Sequence, residues 1–234
     1  SDNYNIVFNG ASNSIAGSTT FAQGGTLTLG DGTSDVTDFS GGMVATAPSG
    51  ISAQGTVKAD GGSGVLTLGD SDTGVTVAAN LLVGGTSTGT ISLGDATLAD
   101  GATLTAGAGA ANQIDLDAIT GTAGSTASNL TINSSGVVTV AEAVGTDIGT
   151  VTVTQSGGTT FSSTFAAATV ATTDTAESQA ITFTDSVTIG TGVTTANGGS
   201  DNYNLALTGA SNSLAGTTTF AQGGTLNLGD RTSV

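Results

Sequence analysis

Carboxylates are the only reactive side chains that this sequence holds in quantity. Its 234 residues include 18 Asp and Glu against two bases, Lys58 and Arg231, with no His and no Cys. A thiol nucleophile, an imidazole base and a Cys/His metal cluster are excluded, because each needs a residue type that is missing. Two arrangements of acids could still carry chemistry. Asp70-Ser71-Asp72-Thr73-Gly74 imitates the start of a calcium loop, with acids two apart and a glycine close behind. The region where an EF-hand places its Glu, about twelve positions into the loop, holds the apolar Leu81. The glycine-rich nonapeptide of calcium-binding β-rolls is not matched either. Asp70 and Asp72 are thus calcium candidates weighed against a plain acidic turn, and Asp31, Asp35 and Asp38 are weighed the same way. Asp115 and Asp117 sit two apart in Ile114-Asp115-Leu116-Asp117, on one face of an alternating stretch. Paired acids can hydrolyse glycosides, but the aromatic platforms and bases of such clefts are missing, so a solvated face and no enzyme are expected.

The elements that must carry these acids read as short strands. Apolar residues make up 37% of the chain and charged residues 9%, with mean hydropathy +0.22, which separates it from acidic disordered tails. Leu27-Thr28-Leu29-Gly30-Asp31 returns as Leu66-Thr67-Leu68-Gly69-Asp70 and as Ile91-Ser92-Leu93-Gly94-Asp95, with a looser relative at Val187–Gly190. Each is an alternating strand closed by a Gly-Asp turn signal, with Leu27 and Leu29 on one face and Thr28 on the other. Ile6–Phe8, Val75–Ala78, Leu130–Ile132, Val137–Val140, Val151–Thr154, Ile181–Phe183 and Leu205–Leu207 follow the same grammar. The alanines of Phe165–Val170 make the only helical stretch worth weighing, and it lacks a cap. The expected class is all-β. One solution is a parallel β-helix or β-solenoid with coils of about 20 to 30 residues stacked at roughly 4.8 Å. The alternative is a string of Ig-like sandwiches, which would want larger aromatic anchors than a chain without Trp supplies.

A long repeat governs the whole. Residues 1–31 align without a gap to residues 200–230, an offset of 199, with 24 identities. The seven differences are mild: Ile6/Leu205, Val7/Ala206, Phe8/Leu207, Asn9/Thr208, Ile15/Leu214, Ser18/Thr217 and Thr28/Asn227. Residues 1–199 read as one complete unit and 200–234 as the start of the next, a window on a longer tandem array. The unit junction is expected at Ser1, Tyr4, Phe21, Ser200, Tyr203 and Phe220, and loss of 200–234 is expected to shorten assemblies. The phenylalanines, including the equivalent pair Phe21 and Phe220, are expected to fill a core rather than to stack on sugars.

The segments GASNSIAGSTTFAQGGTLTLGD, FSGGMVATAPSGISAQGTV and VTVTQSGGTTFSSTFAAATV resemble units of the giant bacterial "beta strand repeat" surface proteins. These are relatives in style of filamentous-haemagglutinin and autotransporter passenger β-solenoids. The resemblance implies an extracellular or cell-surface β-structure used as adhesin, filament or surface layer, with no catalytic residues to carry over. The partners expected are copies of the chain itself or adjacent repeat units, and cell-surface glycans. Nucleic acid is not expected, since phosphate recognition needs clustered Lys and Arg. Membrane insertion is not expected, since no stretch of about 18 uninterrupted apolar residues exists. No cofactor is expected beyond calcium at the acidic turns. Asn129-Leu130-Thr131 and Asn133-Ser134-Ser135 match the N-glycosylation pattern, which is frequent in Ser/Thr-rich chains.

Overall fold

A computed structural model describes residues 2–198 and 201–229, and every regular element among them is a β-strand. Strands form where apolar and hydroxyl residues alternate. Leu27 and Leu29 are fully buried with Thr28 half-buried between them, and Leu66–Leu68 and Ile91–Leu93 repeat the pattern. Phe165–Val170 belongs to the strand Phe165–Thr172. Its alanines compete with β-branched neighbours, and without a cap a short helix has nothing to offset its nucleation cost.

Neighbouring strands pair in parallel, each with a strand about one coil away in sequence. Every coil crosses three tracks, with three strands or with two where one long strand serves the first two tracks, and equivalent strands stack along each track. In the second coil these are Leu27–Leu29, Val36–Phe39 and Met43–Ala45. The first two tracks merge into one 16-stranded sheet, because long strands such as Ile51–Lys58 and Val75–Gly84 run through both. The third track is a separate ten-stranded sheet, one strand per coil, so the described residues make ten coils. Coil length varies along this track: Leu66 pairs with Ile91, Thr159 with Ile181 and Leu205 with Leu226, each step shorter than the one before. At roughly 4.8 Å per coil the stack is about 45 Å long. This is a parallel β-solenoid. The sandwich alternative fails because its sheets are antiparallel.

Gly55 shows how one strand serves two tracks. Its φ of +79° and the close approach of the Asp35 carbonyl leave no room for a Cβ, and the pairing with Val75–Gly84 slips a register there. The core is a column of Leu, Ile, Val and Ala with an aromatic cluster towards each end. Phe8, Phe21 and Phe39 meet edge-on at 5.8 to 6.1 Å, and Phe161 stacks on Phe183 at 4.7 Å with Phe165 edge-on to both.

The long repeat and the coil are out of step. Ile6–Phe8 lies on the first track of the first coil, whereas its copy Leu205–Leu207 lies on the third track of the ninth. One full repeat therefore spans eight coils and two further strands. The shorter motif obeys the same geometry. Leu66–Leu68 and Ile91–Leu93 stand one coil apart in the chain and stack directly as neighbours. Leu27–Leu29 precedes Leu66 by more than one coil and sits on the first track instead.

Candidate functional site

Acids gather where the third track turns into the first. Asp70, Asp95, Asp117 and Glu142 follow the stacked strands Leu66–Leu68, Ile91–Leu93, Ile114–Leu116 and Val138–Val140, so the coil repeat lines them up along one corner. A shallow recess of about 320 Å³ opens there, lined by Ser71, Asp95, Asp117, Ala118, Glu142 and Ala143. Burial pushes the Asp117 carboxyl above its ordinary value, and the charges of Asp95, Glu142, Asp70 and Asp115 push the same way. No group of three or more His, Cys, Asp or Glu among the described residues is arranged to hold a metal ion.

The calcium candidates divide within this corner. Asp70 commits one carboxylate oxygen to its own turn, accepting from the backbone N–H groups of Asp72 at 3.0 Å and Thr73 at 2.8 Å. Asp72 is exposed. Asp115 and Asp117 also part company: Asp115 lies on the strand Ile114–Leu116 and accepts from Gln113 Nε2 at 2.8 Å, while Asp117 falls just past it in the acidic corner. Other acids brace turns. Asp35 accepts from Asp31 and Gly32, and these bonds, led by the Asp31 N–H, hold its carboxyl below the usual range. Asp100 reaches the next coil, accepting from Thr126 N–H at 2.8 Å, and is lowered chiefly by that bond. Lys58 pairs with Asp60 and lies 3.9 Å from Asp38; the Lys58 contact and the Thr86 N–H lower Asp60 in turn.

A second set of polar groups went unseen in the sequence. Ser87, Asn112, Ser134 and Ser156 are buried at the turn between the second and third tracks. Asn112 Nδ2 donates to the carbonyls of Ser87 and Gly89 one coil earlier, at 2.9 and 2.6 Å. Ser134 Oγ donates to Asn112 O at 2.6 Å and accepts from Gly136 N–H at 3.1 Å. Ser87-Thr88-Gly89, Ser134-Ser135-Gly136 and Ser156-Gly157-Gly158 share a Ser-x-Gly pattern, and each Ser accepts from its own Gly N–H. That triplet, with Asn112 taking the intervening place, was the available signal.

The junction residues behave as two environments of one sequence. Ser1 and Ser200 lie outside the described residues. Tyr4 is 56% exposed, whereas its copy Tyr203 is fully buried, with its hydroxyl 2.5 Å from Thr172 Oγ1 and donating to Ala196 O at 2.9 Å. Phe21 is buried against Phe8 and Phe39, and Phe220 is half-buried against the core. Local geometry is nevertheless reproduced. Asn5 Oδ1 accepts from Thr26 N–H at 2.9 Å, as Asn204 Oδ1 does from Thr225 N–H. Ile6 pairs with Leu27 and Phe8 with Leu29, and Leu205 pairs with Leu226 and Leu207 with Leu228, each copy in the same register. The ladder is what this sequence encodes. No protein-family model, curated protein or solved structure is significantly similar to this chain. Among the described residues, the strands Ile6–Phe8, Ser12–Ile15 and Thr19–Thr20 each pair on one side only.

Proposed function

We propose that this chain is a structural repeat segment of an extracellular bacterial filament, surface layer or giant adhesin, working by β-stacked self-association and without catalysis. The observation that carries the reading is the reproduction of one ladder register on two different tracks, once in each copy of the long repeat. A sequence that rebuilds its own stacking wherever it falls on the coil can propagate a rod without limit of length. Parallel backbone ladders supply stiffness, and repetition supplies reach. The solenoid fold and the resemblance to surface-protein repeats support the same role. The test is to lengthen the chain by one further copy of the long repeat and image both forms by negative stain. The longer form should be a straight rod extended by about 40 Å. Two beads, or a rod of doubled width and unchanged length, would overturn the reading.

The acidic corner favours a second reading in which cations tune stacking by screening Asp95, Asp117 and Glu142. It predicts a higher melting temperature in calcium than in chelator. Equal melting in both at matched ionic strength would remove it.

A further inference from the structure

We propose that the outer face of the second track, over the six coils from Thr103 to Thr219, is a binding surface for ice. The inference goes beyond the structural role proposed above and does not depend on it, because it names a ligand and the side chains that meet it.

The face is an array of threonines. Thr103 and Thr105 flank the inward Leu104, and Thr150 and Thr152 flank the inward Val151. The coil ladder sets such outward residues in two files. In one, Thr105 stands against Thr131 and Thr131 against Thr152, and Ala171 then leads to Thr194 and Thr219. In the other, Thr103 stands against Asn129 and Thr150 against Thr169. Register shifts between Ser128 and Leu130 and between Ala167 and Thr169 take up unequal coil lengths, so the files stay in step beyond them.

Two properties set this face apart. None of its six strands carries a charged residue, in a chain of net charge −16. The outward file of the third track, by contrast, is interrupted by Asp115 between Ser92 and Thr139. A neutral ligand therefore meets this face without stripping water from any charge. The second property is that, among the described residues, the threonine hydroxyls of the two files make no hydrogen bond within the protein. Threonines that serve the fold differ: Thr73 Oγ1 lies 2.9 Å from the carbonyls of Thr46 and Pro48. Asn129, the amide in the array, is held in place by accepting from Thr150 N–H at 2.8 Å.

Geometry selects the ligand. Within each file the side chains repeat at about 4.8 Å, and the files lie about 6.6 Å apart across the strands. A threonine hydroxyl donates once and accepts twice, while its methyl group orders the water beside it. The β-branch restricts χ1, so the array is organised before any ligand arrives. Each hydroxyl alone gains little, since liquid water bonds it equally well. Only a ligand that itself repeats on this grid engages all of them at once, and then weak contacts combine. The oxygen lattice of hexagonal ice repeats at nearly these spacings and carries no charge. A sugar chain is the competing neutral ligand, but the one aromatic residue on these strands, Phe165, is buried in the core.

The experiment holds a single ice crystal just below its melting point in a solution of the full chain. The crystal should become faceted, and its growth should stop over a measurable gap between melting and freezing. Thr131→Tyr combined with Thr152→Tyr sets two rings in the middle of one file and should abolish the gap. Thr97→Tyr, at an exposed position on the first track, should leave it unchanged. Thr194→Tyr, at an exposed position of the same file as Thr131, should shrink the gap and serves if the double variant does not fold. A second readout is partition into slowly grown ice, which should take up the unaltered chain and leave the double variant in the liquid. Circular dichroism checks that each variant keeps its β-structure. A folded chain that neither shapes ice nor enters it would overturn the proposal. So would a gap that survives the folded Tyr variants, or one lost equally in Thr97→Tyr. Retention on microcrystalline cellulose with no effect on ice would overturn it in favour of a glycan.

Discussion

At the scale of single residues, the acids divide by what they face. Asp117 is raised by burial and by the surrounding carboxylates, so its ionised form costs stability in the fold and its protonated form does not. Asp117→Asn should raise the melting temperature at pH 7, and the gain should shrink as pH falls and Asp117 itself takes up a proton. Melting curves of both forms from pH 7 to pH 4 check this, and a gain that is constant with pH would contradict it. Asp100 has the opposite sign. Its carboxyl is held below the ordinary 3.8 by the N–H groups of the next coil, so its contribution is present above that value and lost as pH falls through the folded-state value. Asp100→Ala should lower the melting temperature at neutral pH and make no difference in strong acid. Ser134 tests the hidden polar file. Ser134→Ala strips a partner from Asn112 O and from Gly136 N–H and should destabilise by about 2 kcal/mol in urea melts, on the scale of orphaned buried polar groups.

At the scale of strands and turns, most of the ladder was legible before any coordinates. Leu66–Leu68, Ile91–Leu93 and Ile181–Phe183 alternate cleanly, and alternation is a local property that survives into the fold. Leu93 shows how much one such position contributes. It is 2% exposed between neighbouring coils, and Leu93→Ala should cost about 2 to 5 kcal/mol by chemical denaturation. What stayed hidden depends on partners a full coil away. Gln23 reads as an ordinary surface amide until stacking encloses it, and Asn112 reads as a loop residue until the carbonyls of Ser87 and Gly89 close around it. The alanines of Phe165–Thr172 pulled towards a helix that only inter-coil pairing overrules. The acidic corner lay between these extremes. Its Gly-Asp turns were visible, but their alignment follows from a coil length that varies from turn to turn and shows no strict period.

At the scale of the molecule, stability resides in contacts between adjacent coils, so damage should stay local and the stack should fray from its edges. The net charge of −16 acts against this, because parallel coils bring acids of successive turns together. Raising salt from about 0.02 to 0.2 M shortens the screening length several-fold and should raise the melting temperature. The effect should be smaller in Asp117→Asn, and a salt response identical in both forms would detach it from the corner. The misfit between repeat and coil has a broader consequence. Because one unit falls a single strand short of nine coils, a chain of such units carries each motif on a slow spiral. Asp117 would face the same side again only after three units, about 26 coils or roughly 125 Å along the axis. Two rods lying side by side would thus meet any given motif intermittently, as vernier scales do, and sticking along their flanks could never become continuous. Such a rod would grow at its tips and stay clear of its neighbours.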